Sequence, residues 1–125
     1  ADASEDTNDV AKVIEFLNCG QKNIVCGLHT IHARDKVNVT INGFKGYAFS
    51  SKPFRDQMRK LAQGTKVFSI SPKTFIECYI DIPSKQEQLK ICEVLSSLDE
   101  KIATERLLLT QYQRQKKYLL RHLFI

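Results

Sequence analysis

No apolar run in this 125-residue chain approaches the roughly 20 residues needed to span a bilayer, and nothing at its start reads as a secretory leader. A soluble, cytoplasmic protein without a membrane partner is expected. The catalytic signatures are missing too: there is no GxGxxG, no GxxxxGK followed by Ser or Thr, no HExxH and no GxSxG. The loops that cradle phosphates and the turns that present nucleophiles are therefore absent as motifs, and the chain is not expected to be an enzyme. Internal repeats and low-complexity tracts are lacking as well. Of the four cysteines, Cys92 falls inside a helical pattern and nothing indicates secretion, so all four are read as free thiols. The Asn38-Val39-Thr40 sequon is then a chance match.

The most telling absence is local. From residue 84 to residue 125 there is neither proline nor glycine, and the stretch reads as one uninterrupted helix. Its start is marked by Ser84 with Glu87 three residues on, a capping box in which each side chain satisfies a backbone N–H at the helix entrance. Alternate steps of four and three from Ile91 reach Leu95, Leu98, Ile102, Glu105, Leu109, Tyr112, Lys116, Leu119 and Leu123. Only Glu105 and Lys116 break the apolar character of that stripe, so it is a coiled-coil seam. At 1.5 Å per residue the helix would run about 60 Å, more than the small domain before it can cover. Ile91, Leu95, Leu98, Ile102, Leu109, Tyr112, Leu119 and Leu123 are the expected interface with a second helix.

Charge is segregated along the chain. Residues 1–10 hold Asp2, Glu5, Asp6 and Asp9 and no basic residue, whereas 34–73 hold nine Lys and Arg against Asp35 and Asp56. That segment is +7 in a chain whose total is +5. A concentrated positive face implies a polyanion, most simply nucleic acid.

The chain opens on Ala1 without a starting element, which reads as a piece of a longer protein. Residues 10–17 fit a short helix or a strand equally. Residues 22–34 look like an inner strand, with Ile24, Cys26, Leu28 and Thr30 on one face and Val25, Gly27, His29 and Ile31 on the other. Asn42-Gly43 signals a turn that closes a loop or hairpin over 35–43. A helix is expected from about residues 52–54, capped by Ser50 or Ser51 and ended by Gly64, with Arg55, Arg59 and Lys60 opposite Phe54, Met58 and Leu61. Strands over 65–70 and 78–82 flank a single turn opened by Ser71-Pro72. The fold class is α+β: a small mixed domain over 1–83 followed by one long coiled-coil helix over 84–125.

Cys19, Cys26, His29 and His32 lie within fourteen residues and invite a zinc site. On a strand, however, His29 would point away from Cys26 and His32, so no metal is expected. A Cys-His nucleophilic pair lacks the orienting and oxyanion-binding features it would need. What remains is a basic, hydrogen-bonding surface formed by His29, Thr30, His32, Arg34, Lys36, Lys45, Lys52, Arg55, Arg59, Gln63, Gly64, Thr65 and Lys66. Arginine and glutamine can read base edges, lysine neutralises phosphate, and Gly64 lets backbone approach a duplex. An ordinary helix end and turn explains the 62–66 stretch equally well.

Three segments in order, GLHTIHARDK at 27–36, FKGYAFSSKPFRDQMRKLAQGTKVFSIS at 44–71 and IDIPSKQEQLKICEVLSSLDEKI at 80–102, resemble the DNA-specificity subunit of type I restriction-modification systems. The third is the most diagnostic: a strand ending in IP, then EQ, then an Ile- and Leu-rich stretch closing on LDEKI. The resemblance implies a non-catalytic reader of double-stranded DNA with no cofactor of its own. In such systems each specificity subunit carries two target recognition domains, each followed by a long helix, and the helices pack antiparallel as a spacer between two halves of a bipartite target. The implied partners are a methyltransferase subunit, which uses S-adenosylmethionine on adenine, and an ATP-dependent restriction subunit. This chain holds one domain-helix unit, and the early strands of the recognition domain are missing before Ala1. The resemblance therefore also implies a second specificity half, a second copy in a homodimer or a separate chain, paired through the long helix. The competing reading is an assembly module that dimerises or docks on the methyltransferase without touching bases.

Overall fold

In a computed structural model, residues 3–17, 20 and 23–124 are described. The elements are β1 (Ala3–Ser4), α1 (Phe44–Ser50), α2 (Lys52–Leu61), β2 (Phe68–Ser69), α3 (Pro72–Ile76) and α4 (Lys85–His122). This is an α+β fold with a long C-terminal helix. β1 and β2 pair antiparallel, with Ala3 opposite Ser69 and Ser4 opposite Phe68. Gln63 bridges to Ser69 through two backbone bonds, Gln63 N–H to the Ser69 carbonyl at 3.0 Å and Ser69 N–H to the Gln63 carbonyl at 2.8 Å. The chain divides into two compact units, one up to Leu89 and one from Lys90 onward.

The core of the first unit forms where the amphipathic helix α2 turns inward. Phe54, Met58, Ile70 and Ala11 are buried together. Around them Phe49 meets Phe54 edge-on at 4.8 Å between ring centroids, and Phe75 lies 5.8 Å from both. Such tilted and edge-to-face pairs add about 0.5–1.5 kcal/mol each beyond the apolar area they bury. α1 and α2 are separated by the single extended residue Ser51, at φ −63° and ψ 149°. Pro53 follows in the first turn of α2, where its missing N–H leaves no gap in the helix ladder. α3 opens at Ser71-Pro72 as expected, and the Ser71 hydroxyl also caps it, accepting from Thr74 N–H at 3.1 Å.

Several local expectations fail for one physical reason, the lack of a pairing edge. Among the described residues of 22–34 there is no strand, and Lys22 lies outside them. The segment is irregular and exposed, with Leu28 at 98% exposure, because β-propensity becomes a strand only where a neighbour completes its ladder. Residues 78–82 likewise form no strand, the Tyr79 backbone bonding instead to the Gln57 side-chain amide (N–H to Oε1 and Nε2 to the carbonyl, both 2.9 Å), and the strand expected over 65–70 shrinks to Phe68–Ser69. Residues 10–17 are neither helix nor strand but the end of a turn followed by irregular chain. The loop over 35–43 holds, and its Gly43, at φ 90°, leads into α1, a helix the sequence did not announce. α2 starts at Lys52 as expected, without a side-chain cap from Ser51, and it ends on extended Ala62 before Gly64 is reached.

α4 is one helix of 38 residues, about 57 Å long. Its capping box is formed: Glu87 Oε2 accepts from Ser84 N–H at 2.9 Å and from the Ser84 hydroxyl at 2.7 Å, and Glu87 N–H donates to Ser84 Oγ at 3.4 Å.

Candidate nucleic-acid interface

The basic residues singled out by sequence fall into two sets, one on the irregular 27–36 segment with Lys45, the other on α2 and the turn that follows it. In the first set a compact turn fixes Thr30, whose N–H and hydroxyl both donate to the Gly27 carbonyl, at 3.2 and 2.6 Å. Cys26 Sγ lies 2.7 Å from Thr30 Oγ1. Arg34 Nε donates to His32 Nε2 at 3.2 Å, which requires that nitrogen of His32 to be unprotonated. His29 and Lys36 are exposed. The strand argument against zinc falls with the strand. Among the described residues, which omit Cys19, no three His, Cys, Asp or Glu side chains converge on a common point.

Lys45 is held by acids. Its Nζ lies 3.0 Å from Asp35 Oδ2, which also accepts from the Thr40 hydroxyl at 2.8 Å, and 3.8 Å from Glu15 Oε1. The hydrogen bond from Thr40, then that from Lys45, keeps the Asp35 carboxyl below its ordinary range. Glu15 does more than pair with Lys45. Its two oxygens accept from Gly43 N–H at 3.1 Å and Gly46 N–H at 2.8 Å, so a residue 28 positions upstream supplies the N-terminal cap that Gly43 cannot. A Cβ on Gly46 would meet Glu15 Cβ at 3.4 Å, an ordinary van der Waals contact, so the cap does not depend on glycine there.

On α2 the expected basic face is not uniform. Arg55 is only 8% exposed and turns inward, its Nη2 donating to the Asn8 carbonyl at 2.8 Å. Burial, then the like charge of Arg59, lowers its pKa, while Asp9 opposes them. Arg55 thus fastens the turn over residues 6–11 to α2 and is not part of the exposed face. Lys52 and Arg59 both pair with Asp56, at 2.5 and 2.7 Å. The Lys52 hydrogen bond is the main cause of the depressed Asp56 pKa. Arg55 Nη1 and Arg59 Nε are buried without a hydrogen-bond partner. Beyond the helix, Gln63, Gly64, Thr65 and Lys66 are exposed in the turn that leads to β2, and Lys60 joins them. Gly64 has φ +142°, and a Cβ there would sit 1.9 Å from the Val67 carbonyl oxygen. Glycine is therefore required by the turn itself.

Gln88 was not anticipated as a positioning residue. It is fully buried: Oε1 accepts from Ile41 N–H at 2.9 Å, while Nε2 donates to the carbonyls of Val39 at 3.0 Å and Pro83 at 2.8 Å. The EQ pair of the diagnostic segment thus has two structural tasks, Glu87 capping α4 and Gln88 tying its first turn to the 39–41 loop. Glu15 carried no comparable signal, since its partners are distant backbone amides. On α4 the seam residues Ile91, Leu98, Ile102, Leu109, Tyr112, Leu119 and Leu123 are all exposed, and Leu95 is half-buried.

A small mixed domain with exposed basic and amide side chains, joined to an apolar-striped helical arm, is the surface of a binding module. A model of the type I restriction modification DNA specificity domain matches residues 11–112, and the chain belongs to that family. It is accordingly a DNA-recognition module of a restriction-modification system, from a family whose specificity domain is non-catalytic. No curated protein and no solved structure matches it. Among the described residues no helix is long and apolar enough to cross a membrane.

Proposed function

We propose that this chain is one half of a type I specificity subunit, reading one half of a bipartite DNA target and directing methylation and restriction to it through methyltransferase and restriction subunits. The observation that carries the reading is the family match spanning both the basic domain and most of α4. The exposed groups best suited to DNA are Lys36, Lys60, Gln63, Thr65 and Lys66, with Arg34 and His32 beside them. Lys52 and Arg59 share Asp56, so their net charge is lower than their number suggests. The exposed seam of α4 is the surface for a second specificity half. Burying a run of exposed leucines and isoleucines is worth about 25 cal/mol for each Å² of apolar surface removed from water.

Band-shift titration of the chain assembled with its methyltransferase subunit, over a salt series, tests this. Reversing Lys36, Lys60 and Lys66 to Glu removes only exposed charge and should weaken DNA binding by about tenfold or more while flattening its salt dependence. Arg55 is unsuitable for that test because its loss would release the 6–11 turn. Assembly with unchanged DNA binding in the triple variant would favour the alternative, an assembly module that does not touch bases.

A further inference from the structure

α4 carries a second charged feature that neither its cap nor its seam uses. After Glu105 the chain contains no acidic residue, yet it holds Arg106, Arg114, Lys116, Lys117 and Arg121. At 100° per residue Arg106, Lys117, Arg121 and Arg114 fall within about 80° of one another, forming a stripe about 22 Å long. Lys116 alone lies in the seam. Relative to the heptad set by Leu109, Tyr112 and Leu119, Arg114, Lys117 and Arg121 occupy the outer positions and Arg106 flanks the seam. A helix packed on the apolar stripe would leave Arg114, Lys117 and Arg121 uncovered, with Arg106 at the edge of the contact. All four are exposed.

A merely solvated helix face intersperses signs, because like charges three or four apart, as in Arg114 with Lys117 and Lys117 with Arg121, cost a few tenths of a kcal/mol each. The helix dipole favours cations only in the last turn, which accounts for Arg121 and not for Arg106, Arg114 or Lys117. The sign, length and one-sidedness of the stripe fit a regular polyanion. The stripe also runs past residue 112, where the family match ends.

We infer that the stripe Arg106, Arg114, Lys117 and Arg121 is a sequence-independent contact for the phosphate backbone of duplex DNA, separate from the basic domain. It rests on the reading of the chain as a DNA-binding protein. The stripe spans about six base pairs at 3.4 Å each, so the arm supports the DNA between half-sites while the domain reads bases.

The test is the salt dependence of binding of the full chain to a mixed-sequence DNA duplex longer than α4. The variant replaces Arg106, Arg114, Lys117 and Arg121 with Gln. Neutralising four phosphate contacts should make the slope of log affinity against log salt shallower by up to about 3.6, with helix content unchanged. Replacing the three arginines with Lys keeps the charge and should keep the slope. An unchanged slope in the Gln variant, with the parent chain binding DNA, overturns the inference alone. So does loss of methyltransferase association at an unchanged slope, which would assign the stripe to an acidic protein surface. If the parent chain and its methyltransferase complex both show no salt-dependent DNA binding, the underlying DNA reading fails as well.

Discussion

Gly64 and Gln88 show how single residues hold the site in place. At Gly64 the backbone adopts a φ closed to L side chains, and the Val67 carbonyl occupies the space of a Cβ. Gly64→Ala should therefore cost about 2 kcal/mol or more, seen as a lower midpoint in urea with little change in slope. Gln88 is buried with both ends of its amide engaged. Gln88→Ala would leave one amide and two carbonyls without partners and should cost about 3 kcal/mol. Gln88→Glu is the sharper substitution, because a carboxylate would face the carbonyls of Val39 and Pro83, whereas the protonated acid can donate to one of them and still accept from Ile41. Its folded pKa would then lie above the unfolded value, so stability is highest below the unfolded pKa and is lost as pH rises through the folded one. The deficit against the parent chain at neutral pH should narrow in urea titrations run near pH 4.

At the scale of elements, α4 has a built entrance. The Ser84 hydroxyl, then the Ser84 backbone, holds the Glu87 carboxyl below its ordinary pKa. A depressed carboxyl adds stability above its unfolded pKa that is lost as pH falls through the folded one. Helix content of the parent chain should consequently begin to decline at acid pH, and Glu87→Gln, which keeps a hydrogen-bonding amide but has no charge to lose, should flatten that decline in circular dichroism. This cap, the opening of α3 at Ser71-Pro72 and the run of α4 were legible because each is a local device: the residues that form it are within a few positions of one another. Gln88 lay within the legible EQ pair, but its buried role depends on Val39 and Ile41, almost fifty residues away. The 23–34 segment was misread for the converse reason. Alternation of Ile24, Cys26 and Leu28 fixes which side chains share a face, but it cannot provide the neighbouring strand. The inward turn of Arg55 was equally hidden, since its partner is the carbonyl of Asn8 and a backbone oxygen leaves no mark in sequence.

For the whole molecule the proposed function gives length a task. If two such chains pair through α4, a helix of about 57 Å, or about 17 base pairs, is enough to keep two recognition domains more than a helical turn apart on one duplex. A ruler needs a fixed register as well as length, and an unbroken apolar stripe supplies adhesion without register, since sliding by one heptad buries much the same surface. Glu105 and Lys116 interrupt the stripe with opposite charges. In an antiparallel pair aligned so that each Glu105 meets the partner's Lys116, the charges neutralise each other, and any slipped register buries them unpaired at a cost of several kcal/mol. Replacing both with Leu should therefore raise the midpoint for thermal dissociation of the pair and broaden the distance distribution between spin labels placed near the two helix ends. A weaker pair would mean that Glu105 and Lys116 face something other than the partner helix. A stronger pair with an equally narrow distribution would mean that register is set by the shapes of Tyr112 and the branched residues around it.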